Sequence, residues 1–206
     1  MSDCVFCIEI EQPSFIKNLM PIPYSDRILY SDNHVIAVPG LGPQVFPYII
    51  VVTRRHVTSF AAANCQERNS VLDCLEFINN SGIYGNDSLT VFEHGGAVSD
   101  GCSCIEHCHL HVVKASLKIK QHLGWFDGAE QVLISPNSSF EQNRGYLLIA
   151  DYRNGELKGR VYSTEFIERQ YFRKVLSVMI KDADWDWKGM KNNDMIIRTI
   201  EYFKRH

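Results

Sequence analysis

Residues 107 to 113 read His107-Cys108-His109-Leu110-His111-Val112-Val113, and nothing else in the 206-residue chain constrains it so strongly. In an extended strand, successive side chains point to opposite faces. Three imidazoles would therefore share one side, and Cys108, Leu110 and Val112 would face a core. With a rise of about 3.3 Å per residue, neighbouring histidines of the row stand roughly 7 Å apart. Burying three imidazoles for packing alone is expensive, because each brings polar ring nitrogens that need partners. Two chemical uses remain: a row of imidazoles along a phosphate chain, one of which attacks phosphorus, or a set of metal ligands.

The surrounding sequence supplies strands to hold that row. Arg27 to Tyr30 and His34 to Val38 are apolar-rich runs separated by the turn signal Ser31-Asp32-Asn33. Tyr48 to Thr53 is a β-branched run suited to a buried strand. Asn64 with Glu67 predicts a capping box for a helix whose apolar face carries Val71, Leu75 and Ile78 and which ends at Ser81-Gly82. Leu89 to Phe92 and Ile105 to Val113 continue the strands, with the glycine-bearing loop that closes at Gly101 between them. Beyond the histidines, Gln131 to Ile134, Tyr146 to Tyr152 and Leu157 to Tyr162 read as strands, with Arg153-Asn154-Gly155 as a turn. Thr164 is expected to cap a helix carrying Phe166, Phe172, Val175 and Met179, and a last helix from about Asn193 aligns Ile196, Ile200 and Phe203.

Charge and cysteine usage narrow the class. A formal net charge of −3 argues against a broad nucleic-acid face or a polybasic membrane anchor. No apolar run approaches the roughly 18 residues that cross a bilayer. Met1-Ser2-Asp3-Cys4 lacks a basic segment followed by an apolar one, so no secretory signal is expected. Seven cysteines, an odd number, fit reduced thiols better than a disulfide framework, and a cytoplasmic location is expected. Cys4 and Cys7 have the spacing of a zinc half-site, which needs two further ligands.

The triad run resembles the signature of the histidine-triad family of nucleotide hydrolases and transferases. Upstream, Cys4-Val5-Phe6-Cys7-Ile8 is similar to the zinc knuckle of many members, and Val35 to His56 keeps the family's spacing through Pro43-Gln44 to Arg54-Arg55-His56. The similarity spans about residues 1 to 115. Val91-Phe92-Glu93-His94-Gly95 and the Trp-containing C-terminal region also look like a longer, largely bacterial branch. The resemblance implies an α+β, HIT-like fold: an antiparallel sheet with flanking helices, plus a C-terminal α/β extension. Residues 1–115 would form the core with its knuckle, and 116–206 an extension packed on the same domain.

The same resemblance implies roles. His109 would be the nucleophile that attacks an α-phosphorus, giving a nucleotidyl-imidazole that water hydrolyses, with a backbone carbonyl holding its other ring nitrogen. His111 would donate to phosphate oxygens. Gly101, Ser103 and Cys104 would bind the phosphate through backbone N–H groups and the serine hydroxyl. Glu93 falls where relatives reach towards the scissile region, and Glu93 with His94 would form an acid–base or orienting pair. A structural Zn²⁺ would be held by Cys4, Cys7, His56 and His107, with Cys102 and Cys104 as competing donors. Members commonly pair into a sheet across two subunits, so a homodimer is expected.

One departure stands out. Many members grip the ribose hydroxyls with an acidic residue where this chain has Gly40. The expected function is hydrolysis of a dinucleoside polyphosphate or nucleoside phosphoramidate. A nucleotidyltransferase sharing the intermediate, a non-catalytic nucleotide-binding module and a metallohydrolase using the triad as ligands are the alternatives.

Overall fold

The computed structural model describes residues 4–11, 22, 24–96, 105, 107–124, 128–135, 145–163, 168–182, 184–189 and 192–205. Among them, the helices are α1 (Val5–Glu11), α2 (Tyr24–Arg27), α3 (Cys65–Asn80), α4 (Tyr171–Ile180) and α5 (Asn193–Arg205). The strands are β1 (Tyr30–Ser31), β2 (Val35–Pro39), β3 (Ile49–Thr53), β4 (Leu89–Gly95), β5 (His109–Lys114), β6 (Glu130–Ile134), β7 (Tyr146–Arg153) and β8 (Glu156–Ser163). All eight join one antiparallel sheet in the order β1-β2-β3-β5-β4-β7-β8-β6. The class is α+β.

Alternation along the central strands sends side chains to two separate cores. On one face Val51, Val91, Leu110, Val112, Leu148 and Ala150 pack beneath the apolar stripe of α3, Val71, Leu72, Leu75 and Ile78. On the other, Tyr48, Phe92, Val113, Leu147 and Ile149 meet Phe172 and Leu176 of α4. Each fully buried aliphatic or aromatic side chain contributes about 1.5–3 kcal/mol relative to exposure. A charge placed on either face would therefore be costly unless it is paired.

The Asn64 box is formed as the spacing implies: Glu67 N–H donates to Asn64 Oδ1 at 2.9 Å, and Asn64 N–H donates to Glu67 Oε2 at 2.8 Å. The turn between β7 and β8 uses Asn154 and Gly155 at φ 51° and 79°, the paired left-handed geometry of a tight hairpin.

Three expectations need correction. The helix expected from Thr164 begins at Tyr171, after Gln170 in a left-handed conformation; Thr164 and Phe166 lie outside the described residues. Arg27 ends the short helix α2 instead of opening a strand. The triad strand begins only at His109, because Cys108 N–H turns to the carbonyl of Val57 at 2.6 Å and His107 N–H to that of Ile105 at 2.8 Å. His107 thus leaves the row.

Strands from both halves of the chain share the sheet, since β4 pairs with β5 on one side and with β7 on the other. The sheet's outer strands are β1, two residues long, and β6. A sheet continued into a second subunit would have to form through one of these.

Candidate active site

Two imidazoles of the triad stand on the α4 face of β5. Their ring centroids are 5.0 Å apart. His109 is buried, and its Nδ1–H donates to the carbonyl oxygen of His107 at 2.6 Å. That bond puts the proton on Nδ1 and leaves the Nε2 lone pair available. Burial holds the His109 pKa below its ordinary value of 6.5, against the His107 carbonyl, which raises it. The ring is neutral at pH 7, as a nucleophile must be.

His111 is fixed by two neighbours on adjoining strands. Phe92, its partner across the β4–β5 ladder, stacks on it at 4.9 Å. The Tyr48 hydroxyl lies 2.9 Å from His111 Nδ1. Burial raises the phenol's pKa, so it keeps its proton and donates it to Nδ1. The His111 proton then sits on Nε2, as a donor. Burial above all, and then the nearness of His109, the Arg173 guanidinium and His94, which oppose an added positive charge, hold this ring neutral as well.

His94 follows Phe92 by two positions on β4 and so shares the triad face. Among the described residues neither of its ring nitrogens has a hydrogen-bond partner, although both are buried. Burial and the nearby His109 lower its pKa to about 4. A neutral imidazole with buried ring nitrogens beside His109 is a ready contact for an anion.

Glu93 does not join it. Its carboxylate points through the other face, where the backbone N–H of Phe60 donates to Oε1 at 2.9 Å and the Tyr146 hydroxyl donates to Oε2. Its neighbours Phe60, Tyr146 and Cys108 belong to the core under α3. The pairing of Glu93 with His94 expected from sequence therefore fails, for the reason that governs any strand: adjacent residues face opposite ways. Burial raises the Glu93 pKa to about 7.

The histidines open into a cleft walled by Phe6 and Glu9 of α1, Val38 and Leu41, Ile50, and Tyr171 to Arg173 at the start of α4. Arg27 and Glu9, 1% and 3% exposed, form an ion pair in its wall. Gly40 is accounted for sterically, since a Cβ there would lie 2.5 Å from Cδ1 of Tyr48. The tyrosine that orients His111 occupies the space an acidic side chain would need.

On the far side of His109, four donors converge. Cys4 Sγ lies 3.3 Å from His107 Nδ1, Cys7 Sγ lies 3.3 Å from His56 Nδ1, and Cys7 Sγ lies 3.5 Å from His107 Nδ1. All four ligand atoms fall within 4.8 Å of one another. Tetrahedral zinc–sulfur and zinc–nitrogen bonds would separate ligand atoms by about 3.3 to 3.8 Å, so the set fits such an ion. His107 Nε2–H donates to the carbonyl of Thr53 at 2.6 Å, which aims the Nδ1 lone pair at the sulfurs. Cys4 and Cys7, one turn apart at the start of α1, reach the same side.

The expected phosphate-loop residues Gly101, Ser103 and Cys104, with Cys102, lie outside the described residues. Sequence reasoning missed Tyr48, Arg173 and the Glu9–Arg27 pair. A signal for Arg173 existed: Arg173 and Ser177, four apart, are buried polar residues in the apolar stripe of α4. For Tyr48 the signal was a phenol opening a β-branched run, and nothing in the sequence brings Glu9 to Arg27.

No protein-family profile matches the sequence, and no curated protein matches it. Among solved structures, the chain is similar to histidine-triad proteins. A HIT family hydrolase from Clostridium thermocellum is 18% identical, covers 55% of this chain and 91% of its own, and superposes with a TM-score of 0.38. A histidine triad protein from Clostridium difficile is 24% identical with the same coverages, 55% and 91%, and a TM-score of 0.37. A hypothetical histidine triad nucleotide-binding protein from Sulfolobus tokodaii is 14% identical, covers 98% and 95%, and has a TM-score of 0.40.

Proposed function

We propose that the chain hydrolyses a nucleotidyl phosphate derivative through a covalent intermediate on His109. The observation that carries this reading is the bond from His109 Nδ1–H to the His107 carbonyl, which presents a neutral, oriented Nε2 to the cleft.

In the first step Nε2 attacks the α-phosphorus. An N–P bond forms, the P–O or P–N bond to the leaving group breaks, and that bond's electron pair departs with the leaving atom. The Nδ1 proton stays on the ring, shared with the His107 carbonyl, so the charge developing on the imidazole is met where it arises. His111 donates from Nε2–H to a phosphate oxygen, and His94 supplies a second contact. Gly101, Ser103 and Cys104 are assigned to the same phosphate. Water then attacks phosphorus, the N–P pair returns to Nε2, and one proton is released. Phe6, Val38, Leu41 and Ile50 give the base an apolar slot.

Cys4, Cys7, His56 and His107 would hold a structural zinc ion. With four protein ligands the ion is closed to substrate, and what it supplies is a cross-link from α1 to the end of the catalytic strand. Among the described residues, no helix is long and apolar enough to cross a membrane. Reduced thiols and a nucleotide substrate agree with a cytoplasmic setting.

The test is to incubate the protein with nucleotide anhydrides and nucleoside phosphoramidates, quench early, and weigh the protein. Wild type should gain one nucleotidyl mass that His109→Ala does not. Equal turnover by His109→Ala overturns the reading.

A further inference from the structure

Arg173 is the third residue of α4 and comes from the half of the chain that follows the triad strand. Its side chain is 7% exposed and lines the cleft. Nε donates to the Trp185 carbonyl at 2.7 Å and Nη2 to the Gly42 carbonyl at 2.6 Å. The guanidinium carbon sits 5.8 Å from the Tyr48 ring centroid.

All of these partners are neutral. Among the described residues, no carboxylate pairs with Arg173, whereas the other buried arginine of the cleft, Arg27, is paired with Glu9. A buried guanidinium without a counter-charge is costly, and the cost falls when an anion arrives. The two carbonyls, with the Tyr48 hydroxyl that also hydrogen-bonds Arg173, spend only part of the donor fork, and they hold its plane still. It lines the same cleft as His109 and His111 and packs on the Tyr48 ring, whose other ring contact is His111 at 5.6 Å. The field of Arg173 already reaches His111, where it adds to burial in disfavouring imidazolium.

We propose that Arg173 is the binding site for the leaving phosphate, which makes the substrate class a phosphoanhydride of a nucleotide and not a phosphoramidate. This rests on the hydrolase reading above and names its substrate. When His109 Nε2 bonds to the α-phosphorus of an anhydride, the bridging P–O bond breaks. The electron pair then stays on the departing phosphate oxygen, as negative charge that Arg173 meets. A phosphoramidate instead releases an amine, which carries no such charge and is repelled once protonated.

The experiment compares kcat/KM for an adenosine 5′-diphosphate ester and adenosine 5′-phosphoramidate, in wild type, Arg173→Gln and Arg173→Lys. The ratio of anhydride to phosphoramidate should fall by about 100-fold in Arg173→Gln, the scale of losing one charge-stabilising donor. Arg173→Lys keeps the charge without the fork and should lower the ratio by about tenfold. A merely structural arginine would depress both substrates alike, and an unchanged ratio overturns the proposal. If Arg173→Gln does not fold, the lysine variant decides on the same criterion. Titration with inorganic pyrophosphate separates the two readings. If wild type turns over neither substrate, the hydrolase reading has failed, and the titration then decides the subsite. Pyrophosphate binding weakened at least about tenfold in the variants upholds it, and absent or equal binding overturns it.

Discussion

Nδ1 of His109 lies 2.6 Å from the carbonyl oxygen of His107, and the ring of His107 is itself within 3.3 Å of Cys4 Sγ through Nδ1. One residue thus orients the His109 ring with its backbone and belongs to the donor cluster with its side chain. A metal bound there would stiffen the carbonyl that selects the His109 tautomer.

Metal removal should therefore show in stability first and activity second. Cys7→Ser, purified and analysed for metal, is expected to retain far less zinc than wild type and to melt earlier, since the binding free energy of a structural site is folding free energy. Chelation of wild type should lower the melting temperature before it lowers the initial rate. Instant loss of activity at unchanged melting would mark the metal as catalytic.

The acid limb of the pH–rate profile should lie below 6.5, the ordinary imidazole value, because burial depresses the His109 pKa. Nucleophilic attack needs neutral imidazole, so kcat/KM is expected to stay flat as pH falls through 6.5 and to decline only beneath it. A limb above 6.5 in kcat/KM would contradict a neutral His109.

Tyr48→Phe removes one hydroxyl and leaves the ring that fills the space beside Gly40. With the donor to His111 Nδ1 lost, the proton is free to sit on the wrong nitrogen, and kcat is expected to fall about 10–100-fold. Stability should fall by about 1–3 kcal/mol, the cost of leaving a buried acceptor without its donor. Gly40→Asp, which places there the acidic residue that the histidine-triad resemblance implies, should also destabilise by about 1–3 kcal/mol, because its Cβ meets the Tyr48 ring.

Glu93 gives a stability signature separate from catalysis. Burial lifts its pKa from 4.5 to about 7, so between those values the folded protein keeps a proton that the unfolded chain has released. Its contribution is fully present below pH 4.5 and is lost as pH rises through 7, on the order of 3 kcal/mol in all. Denaturant melts from pH 4.5 to 7 should show wild type losing stability relative to Glu93→Gln as pH rises. Parallel curves would mean that Glu93 ionises normally.

Alternation of polar and apolar residues made the core legible from the sequence: the stripe of α3, the Asn64 cap and the apolar faces of β3, β4 and β5 all follow from local periodicity. The same logic, applied strictly, should have separated Glu93 from His94, since neighbours on a strand cannot share a face. The departure of His107 from the row was not legible, because it depends on Val57, a residue far along the chain, capturing the Cys108 N–H.

By itself the sequence determined an imidazole row, a Cys-x-x-Cys knuckle and an α+β sheet to carry them, because these are short-range patterns written in spacing. Tertiary structure decided which histidine turns to the thiols and which to the cleft, which face Glu93 takes, and that Arg173 from α4 lines the same cleft as His109 and His111. Those outcomes depend on contacts between residues distant in sequence, where burial and hydrogen-bond partners, not local spacing, set each side chain's charge and direction.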